Sequence, residues 1–324
     1  MPEHKLKGKK ILFLTGSFPV ISETFIINQI TDLLDSGINV EMFSFSPGDK
    51  RLVSDRFSDY QLFNRTTYLN FPKSKVLKLF KALPKIIKIL LTKPILLFKI
   101  FNFKKYGQFS RSLKTLFWVE PFVGRHFDLV HCHFGTVANK FLLIKEILGI
   151  KSPLVVSFYG YDISHIIKEK GSHYYDRLIK ETKIFIAMSE NMKERLIKQG
   201  FPGDKIIVLP VSIDVGAYPF KVRKFKHYPI NLISVGRFVE KKGFPDLLHA
   251  IRLVVDKVGK DKVKLHIIGD GPLKSEIFSL TDKLKLESVV KFYGYQKIED
   301  IIKFFMSMDI YLQTSKIAND GDME

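Results

Sequence analysis

The sequence predicts an α/β protein of two doubly wound domains that face each other across a cleft, the second of them incomplete. Three observations carry this. Short apolar runs of strand length alternate with stretches of helical periodicity from residue 10 to residue 313. Many of the runs stop at a glycine or a polar cluster, as strands of an open parallel sheet do where they meet their loops. The alternation lapses over residues 215–229, which hold two prolines, several charges and no periodicity, and it restarts at Ile230. The division expected is a first domain over 1–214, a linker over 215–229 and a second domain over 230–324. A chain of 324 residues is long enough to give each half its own core.

The first strand is Lys10–Thr15, KILFLT, broken by Gly16. Ser22 is placed to cap the helix that follows. Phe25, Ile26, Ile30, Leu33 and Leu34 trace one face of it, and Gly37 ends it. A strand over 40–45 completes a strand–helix–strand unit, for which a right-handed crossover is expected. The loop carries one glycine instead of G-x-G-x-x-G, which argues against an NAD site. Gly16 reads either as a simple turn or as a point where backbone approaches a ligand closely.

Residues 60–119 contain no acid, while lysines recur from Lys73 to Lys114 with Val, Leu, Ile and Phe between them. This basic helical insertion, about 72–118, is expected to break into short helices at Pro84 and Pro94. Basic helices with an apolar face suit an anionic membrane surface; the alternative is a helical cap with a solvated lysine face.

Residues 127–131 read as a strand, and a helix from about Thr136 ends at Gly149. His131 and His133 stand where that strand ends. No third ligand has suitable spacing, so no metal is expected, and each histidine is either structural or positions a ligand. Leu154–Phe158 is a further strand, ending in Tyr159, Gly160, Tyr161 and Asp162. Helices near 174–180 and 190–199, with Ser189 as a cap, and strands over 183–187 and 206–210 complete the half.

The second half opens on LISVGRFVEKKGFPDLL. Apolar residues to Val235 form a buried strand and Gly236 ends it. Phe244, Leu247, Leu248 and Ile251 follow at helical spacing. Arg237 and Lys242 therefore lie on a loop between a strand tip and a helix start, where free backbone N–H groups favour an anion. Arginine adds a planar fork for phosphate oxygens and lysine a mobile charge, so a diphosphate grip is one reading and a solvated basic loop the other. Val263–Ile268 is the next strand, followed by the loop Gly269, Asp270, Gly271, Pro272 and a helix over 273–284. Strands over 289–293 and 310–313 flank a helix over 298–306, with Gly294 closing the first of those strands.

The net charge of +19 needs an anionic partner: a phosphorylated ligand, a membrane face or nucleic acid. Nucleic acid is not expected, because no RNP motif, zinc spacing or stacking platform accompanies the charge. The lone Cys132 excludes an internal disulfide and fits a reducing compartment. The amino-terminal apolar run is too short for a signal peptide, and no transmembrane run is expected.

Six stretches then occur in order: FPVISETFIINQI at 18–30, HCHFG at 131–135, FYGYDIS at 158–164, VGRFVEKKGF at 235–244, IIGDGPL at 267–273 and DGDME at 320–324. Together they resemble glycosyltransferase family 4, retaining enzymes of the GT-B fold, and within it the colanic-acid and capsule type. The resemblance implies that Arg237 and Lys242 hold the donor diphosphate without a metal or other cofactor, the donor being a UDP- or GDP-hexose. It implies that Gly16, with Tyr159 and Gly160, lies beside donor and acceptor, and that Gly269, Gly271, Tyr293 and Gly294 frame the nucleobase. Glu324 matches the first glutamate of the family's E-x(7)-E motif. The family commonly has histidine where Tyr159 stands, and a phenol is a poor base near neutral pH. His133 and Asp162 are therefore candidates for catalysis or positioning. The activity implied is transfer of a hexose, with retention, to a polyprenyl-diphosphate-linked oligosaccharide at the cytoplasmic membrane face. The second glutamate of the motif falls after residue 324, so the chain reads as a carboxy-terminally truncated enzyme. The alternative is a truncated, non-catalytic remnant that binds membrane or acceptor.

Overall fold

A computed structural model describes residues 7–49, 53–220, 222 and 228–323. The chain divides into two compact units, the main division falling between Val211 and Ser212.

The first unit is a seven-stranded, all-parallel sheet: β1 (Lys10–Thr15), β2 (Asn39–Ser44), β3 (Thr66–Tyr68), β4 (Leu129–His133), β5 (Leu154–Phe158), β6 (Ile184–Ala187) and β7 (Ile206–Val208). Their order is β3-β2-β1-β4-β5-β6-β7. The chain winds outward from β1 in one direction, then returns to β1 and winds outward in the other. The switch point lies between β1 and β4, where the loops after these strands diverge and leave a crevice. Leu14 is in register with Phe43 on β2 and Cys132 on β4, and Cys132 with Val156 on β5. These apolar side chains form one layer of the core with Phe117, Phe122 and Phe141. The Cys132 thiol is wholly buried, which raises its pKa well above the usual thiol range and leaves it inert.

The first helix, α1 (Thr24–Asp35), follows β1 as expected. The insertion differs from expectation. The helix α2 (Lys75–Thr92) runs unbroken through Pro84 for 18 residues; only Pro94 interrupts, separating α2 from α3 (Ile95–Ile100). Proline is tolerated there because Pro84 lies on the exposed side of α2. Phe80, whose carbonyl loses its helical partner to the proline, is itself an exposed residue, while Ala82 and Ile89 anchor the opposite side.

The β4 strand lies two residues later than expected, so both histidines belong to it. Asp128, expected inside the strand, instead accepts the Lys10 backbone N–H at 2.8 Å. Because side chains alternate along a strand, His131 and His133 share a face opposite Cys132. The helix α4 (Gly135–Leu148) follows at once. Strand β3 was not anticipated: three residues, TTY, at the sheet edge carry no apolar run to reveal it.

The second unit is a four-stranded parallel sheet of β8 (Ile230–Val235), β9 (Val263–Ile268), β10 (Val290–Phe292) and β11 (Ile310–Tyr311), in the order β10-β9-β8-β11. Its switch point lies between β8 and β11. The helices are α5 (Phe244–Val258), α6 (Lys274–Lys283) and α7 (Ile298–Phe305). Phe238, Phe244, Leu247 and Ile251 pack with Leu265, Ile267, Ile277 and Leu286 to form its core. Strand β11 has two residues, where four were expected, and both are exposed. Of the expected linker, Val215–Ala217 forms a short 3-10 turn capped by the Asp214 carboxylate, which accepts the Gly216 N–H at 3.0 Å. Residues 221 and 223–227 lie outside the described residues.

Candidate active site

In the second unit three strand tips meet. The Gly236 N–H donates to the Ile268 carbonyl at 3.0 Å, and the Gly269 N–H to the Gly294 carbonyl at 2.9 Å. These bonds tie the loops after β8, β9 and β10 into one edge. Gly269 makes the approach possible: its φ is +149°, and a Cβ there would stand 1.9 Å from the Gly236 carbonyl oxygen. The Asp270 carbonyl accepts from Phe238 at 3.0 Å, and the Phe238 carbonyl accepts from Leu273 at 3.1 Å, which locks the Gly269–Pro272 loop over the root of the basic loop. Gly271 sits in this lock, with its N–H donated to the Asp270 carboxylate at 2.8 Å.

The basic loop has a defined shape. Arg237 is exposed at the tip of β8. The hydrocarbon stem of Lys242 lies along Gly236: a Cβ on that glycine would be 3.3 Å from Lys242 Cδ and 3.4 Å from Cε. The loop's two lysines therefore differ. Lys241 forms an ion pair with Asp322 at 3.1 Å, and the Lys242 stem lies along Gly236 at the strand tip. Thr314, on the segment after β11, holds the end of the loop by donating to the carbonyls of Gly243 at 3.0 Å and Lys242 at 3.2 Å. Loop and clasp thus flank the switch point between β8 and β11, where ligands of open parallel sheets bind. Thr314 was missed from sequence because a contact across about seventy residues leaves no local pattern.

Tyr293 and Gly294 stand at the neighbouring tip. The Tyr293 hydroxyl is 2.7 Å from His266 Nδ1, and His266 Nε2 is 3.3 Å from Asn231 Oδ1. Burial and the nearby Lys291 and Lys264 lower the His266 pKa. His266 and Asn231 complete a polar row that sequence reading missed, since each lies inside an apolar run.

In the first unit the switch point brings together Gly16, His133 and the start of α4. The Gly16 carbonyl accepts from Ser46 Oγ at 2.9 Å. Among the described residues a Cβ there would meet only Val137, at 3.6 Å, so their packing does not itself require a glycine. His131 Nε2 lies 2.8 Å from Ser157 Oγ, and His133 Nδ1 lies 2.7 Å from the Tyr159 hydroxyl. The two imidazoles stack at 4.5 Å, with Phe13 against both. Burial holds the His131 pKa down to about 4. Burial, with His131 beside it, holds His133 well below the usual histidine range. At neutral pH both rings are uncharged, so His133 orients and accepts; it is not a standing acid. Its Nε2 is buried and has no hydrogen-bond partner among the described residues.

Asp162 is fully buried. One carboxylate oxygen accepts the Gly135 N–H at the start of α4, at 2.9 Å, and the other the Tyr159 N–H at 3.2 Å. Burial raises its pKa to about 6 against these bonds. The Tyr175 hydroxyl donates to its carbonyl at 2.8 Å. In this geometry Asp162 fastens the loop after β5 to the helix after β4, and its oxygens are spent on backbone. The Gly160 carbonyl accepts the Ser164 N–H at 3.0 Å within the same loop. Glu324 lies outside the described residues.

Two parallel, doubly wound units, each with its polar loops at the strand tips, are the architecture of the GT-B glycosyltransferases. The fold is shared at low identity with solved structures. Anabaena Alr3699/HepE, crystallised with UDP-glucose, aligns over 94% of this chain and 74% of its own, with a TM-score of 0.61 and 16% identity. S. aureus TarM aligns over 95% and 81%, with a TM-score of 0.62 and 12% identity. The family model for glycosyltransferase family 4 matches residues 22–217, and that for glycosyl transferases group 1 matches residues 218–321. The chain belongs to glycosyltransferase family 4. It is 34% identical to the amylovoran biosynthesis glycosyltransferase AmsK of Erwinia amylovora, over 97% of this chain and 77% of that protein. It is 30% identical, with the same coverage, to the putative colanic acid biosynthesis glycosyltransferase WcaL of Escherichia coli K12.

Proposed function

We propose that the chain transfers a hexose from a UDP- or GDP-linked donor to a lipid-linked glycan, with retention, during synthesis of a cell-surface polysaccharide at the cytoplasmic face of the membrane. The observation that carries this reading is the loop after β8, where the Lys242 stem lies along Gly236 and the next residue, Arg237, is exposed. As the sugar–oxygen bond breaks, negative charge collects on the departing nucleotide diphosphate. A guanidinium fork and an ammonium held at the strand tip stabilise that charge more than they stabilise the intact donor. These two cations then do the electrostatic work that a divalent metal does elsewhere, and no cofactor enters the proposed mechanism. Tyr293 and Gly294, at the neighbouring tip, are the proposed frame of the base. In the first unit, neutral His133 and the loop of Tyr159 and Gly160 are proposed to position the acceptor. The printed functions of AmsK and WcaL, amylovoran and colanic acid biosynthesis, support the polysaccharide context.

The test is turnover. The chain is incubated with radiolabelled UDP- and GDP-hexoses and a polyprenyl-diphosphate-linked oligosaccharide, and the anomeric configuration of the product is read by NMR. Label in the lipid fraction with the donor's configuration is expected. Label with inverted configuration, or none with any hexose donor, contradicts the proposal.

A further inference from the structure

The helices α2 and α3 carry much of their apolar surface on the outside. On α2, Val76, Leu79, Phe80, Leu83, Ile87 and Leu91 recur at spacings of three and four and form one outward stripe, with Phe80 77% and Leu91 80% exposed. Ile95 and Phe98 of α3 extend it, at 73% and 81% exposure. Only Ala82 and Ile89 of α2 are buried.

The orientation is fixed by the lysine flank. Lys85 and Lys88 reach Glu120 at 2.5 and 2.7 Å, and Glu120 is itself buried. Lys78 lies over the Phe71 ring at 4.5 Å, and Lys81 donates to Asn70 at 3.1 Å. Pinned along this flank, the helix cannot turn its outer stripe inward without breaking the Glu120 pairs.

An exposed apolar stripe of this length needs a cover. Charge decides which. Residues 60–119 contain no acid, and Lys73, Lys75, Lys93, Lys99 and Lys104 are exposed near the stripe. A second copy would bring two like-charged rims together. An anionic bilayer takes up the apolar stripe and neutralises the rim at once. No helix among the described residues is long and apolar enough to cross a membrane, so the arrangement suits lying in the surface. We propose that α2 and α3 lie in the plane of an anionic lipid surface, with the stripe among the acyl chains and the rim lysines at the phosphates. The proposal deepens the reading above and rests on it only for which membrane is met.

The test is flotation of the full chain with phosphatidylcholine vesicles, with and without phosphatidylglycerol. Wild type is expected to float with the anionic vesicles and to stay behind with the neutral ones. The double variant Phe80→Asp/Ile87→Asp is expected to lose about tenfold or more of that partitioning. Lys93→Gln/Lys99→Gln is expected to weaken the preference for anionic lipid and its salt dependence. All the altered side chains are exposed, and an unchanged affinity for whichever of UDP and GDP binds, with an unchanged melting temperature, would report an intact fold. Equal flotation of wild type and the Phe80→Asp/Ile87→Asp variant overturns the proposal. So does absence of flotation with both vesicle types, or a wild-type dimer that this variant splits. Failure of wild type to bind either UDP or GDP would count against the transferase reading and leave this surface untouched.

Discussion

Replacing Gly236 with alanine moves Lys242 without removing its charge. The new Cβ would stand 3.3 Å from Lys242 Cδ, 3.4 Å from Cε and 3.5 Å from Cγ. The stem must retreat by a few tenths of an ångström to reach ordinary contact, about 0.3–0.5 Å, and the ammonium moves with it. A hydrogen bond from a charged donor contributes about 1.5–3 kcal/mol, and misplacing its donor forfeits part of that, here about 1 kcal/mol. Affinity for UDP or GDP is therefore expected to fall about fivefold. Stability should not fall with it. Gly236 is outside the left-handed region, so alanine adopts its backbone freely, and fewer unfolded conformers favour the variant by about 0.4–1 kcal/mol. Titration calorimetry with the nucleotide diphosphate, beside a thermal melt, reads both quantities. Unchanged affinity would refute the inference that the Lys242 stem across Gly236 sets the grip. A loss of affinity matched by a fall in melting temperature would refute it as well, by showing that the loop itself had been disrupted.

Other expectations follow from the same geometry. Gly269→Ala forces a Cβ against the Gly236 carbonyl, a backbone atom that cannot swing aside, in a conformation alanine resists; a loss of about 3 kcal/mol or more is expected, seen as early melting of the second unit in calorimetry. Asp162→Asn leaves one of the two backbone N–H groups facing an amide donor, so a loss of about 1–3 kcal/mol in the first unit is expected by denaturant titration, with UDP affinity unchanged. His131, held to about 4, stays neutral when folded while its unfolded counterpart charges below about 6.5, so its contribution is present above that pH and about 3 kcal/mol is lost as pH falls toward 4. Asp162, raised from 3.8 to about 6, acts oppositely, since the unfolded carboxyl ionises first and stability from this group falls as pH rises between those values. The two buried histidines outweigh it, and His131→Asn should flatten the fall in melting temperature between pH 6.5 and pH 4.5. An unchanged slope in that variant would exclude His131 as its source.

The elements legible from sequence were those whose own residues carry the signal. The run ending at Val235 and the helical spacing after Gly243 placed the basic loop correctly, because a buried strand and an amphipathic helix each leave a periodicity. The ion pair of Lys241 is not legible in the sequence: its partner, Asp322, lies about eighty residues on. The register of β4 was misjudged by two residues because Asp128 looks like part of the strand until its carboxylate is seen bound to the Lys10 backbone. Asp162 read as a site carboxylate because it follows a strand tip; its bonds to the N–H groups of Gly135 and Tyr159 depend on how two loops meet. Pro84 read as a helix breaker because the sequence does not say which side of the helix faces water. The basic insertion stands out in the sequence by its missing acids, but which residues of α2 point outward depends on the pairing of Lys85 and Lys88 with Glu120.

The measurement that bears most directly on the central claim compares nucleotide diphosphates with the bare nucleosides, on wild type, Arg237→Ala and Lys242→Ala. If Arg237 and Lys242 grip the diphosphate, wild type should prefer UDP or GDP to the matching nucleoside by about a hundredfold, from two charged contacts. Each variant should then lose about tenfold or more of that preference while binding the nucleoside as before. Equal weakening of nucleoside and diphosphate, or no weakening in either variant, would contradict the claim that this loop is the donor diphosphate site.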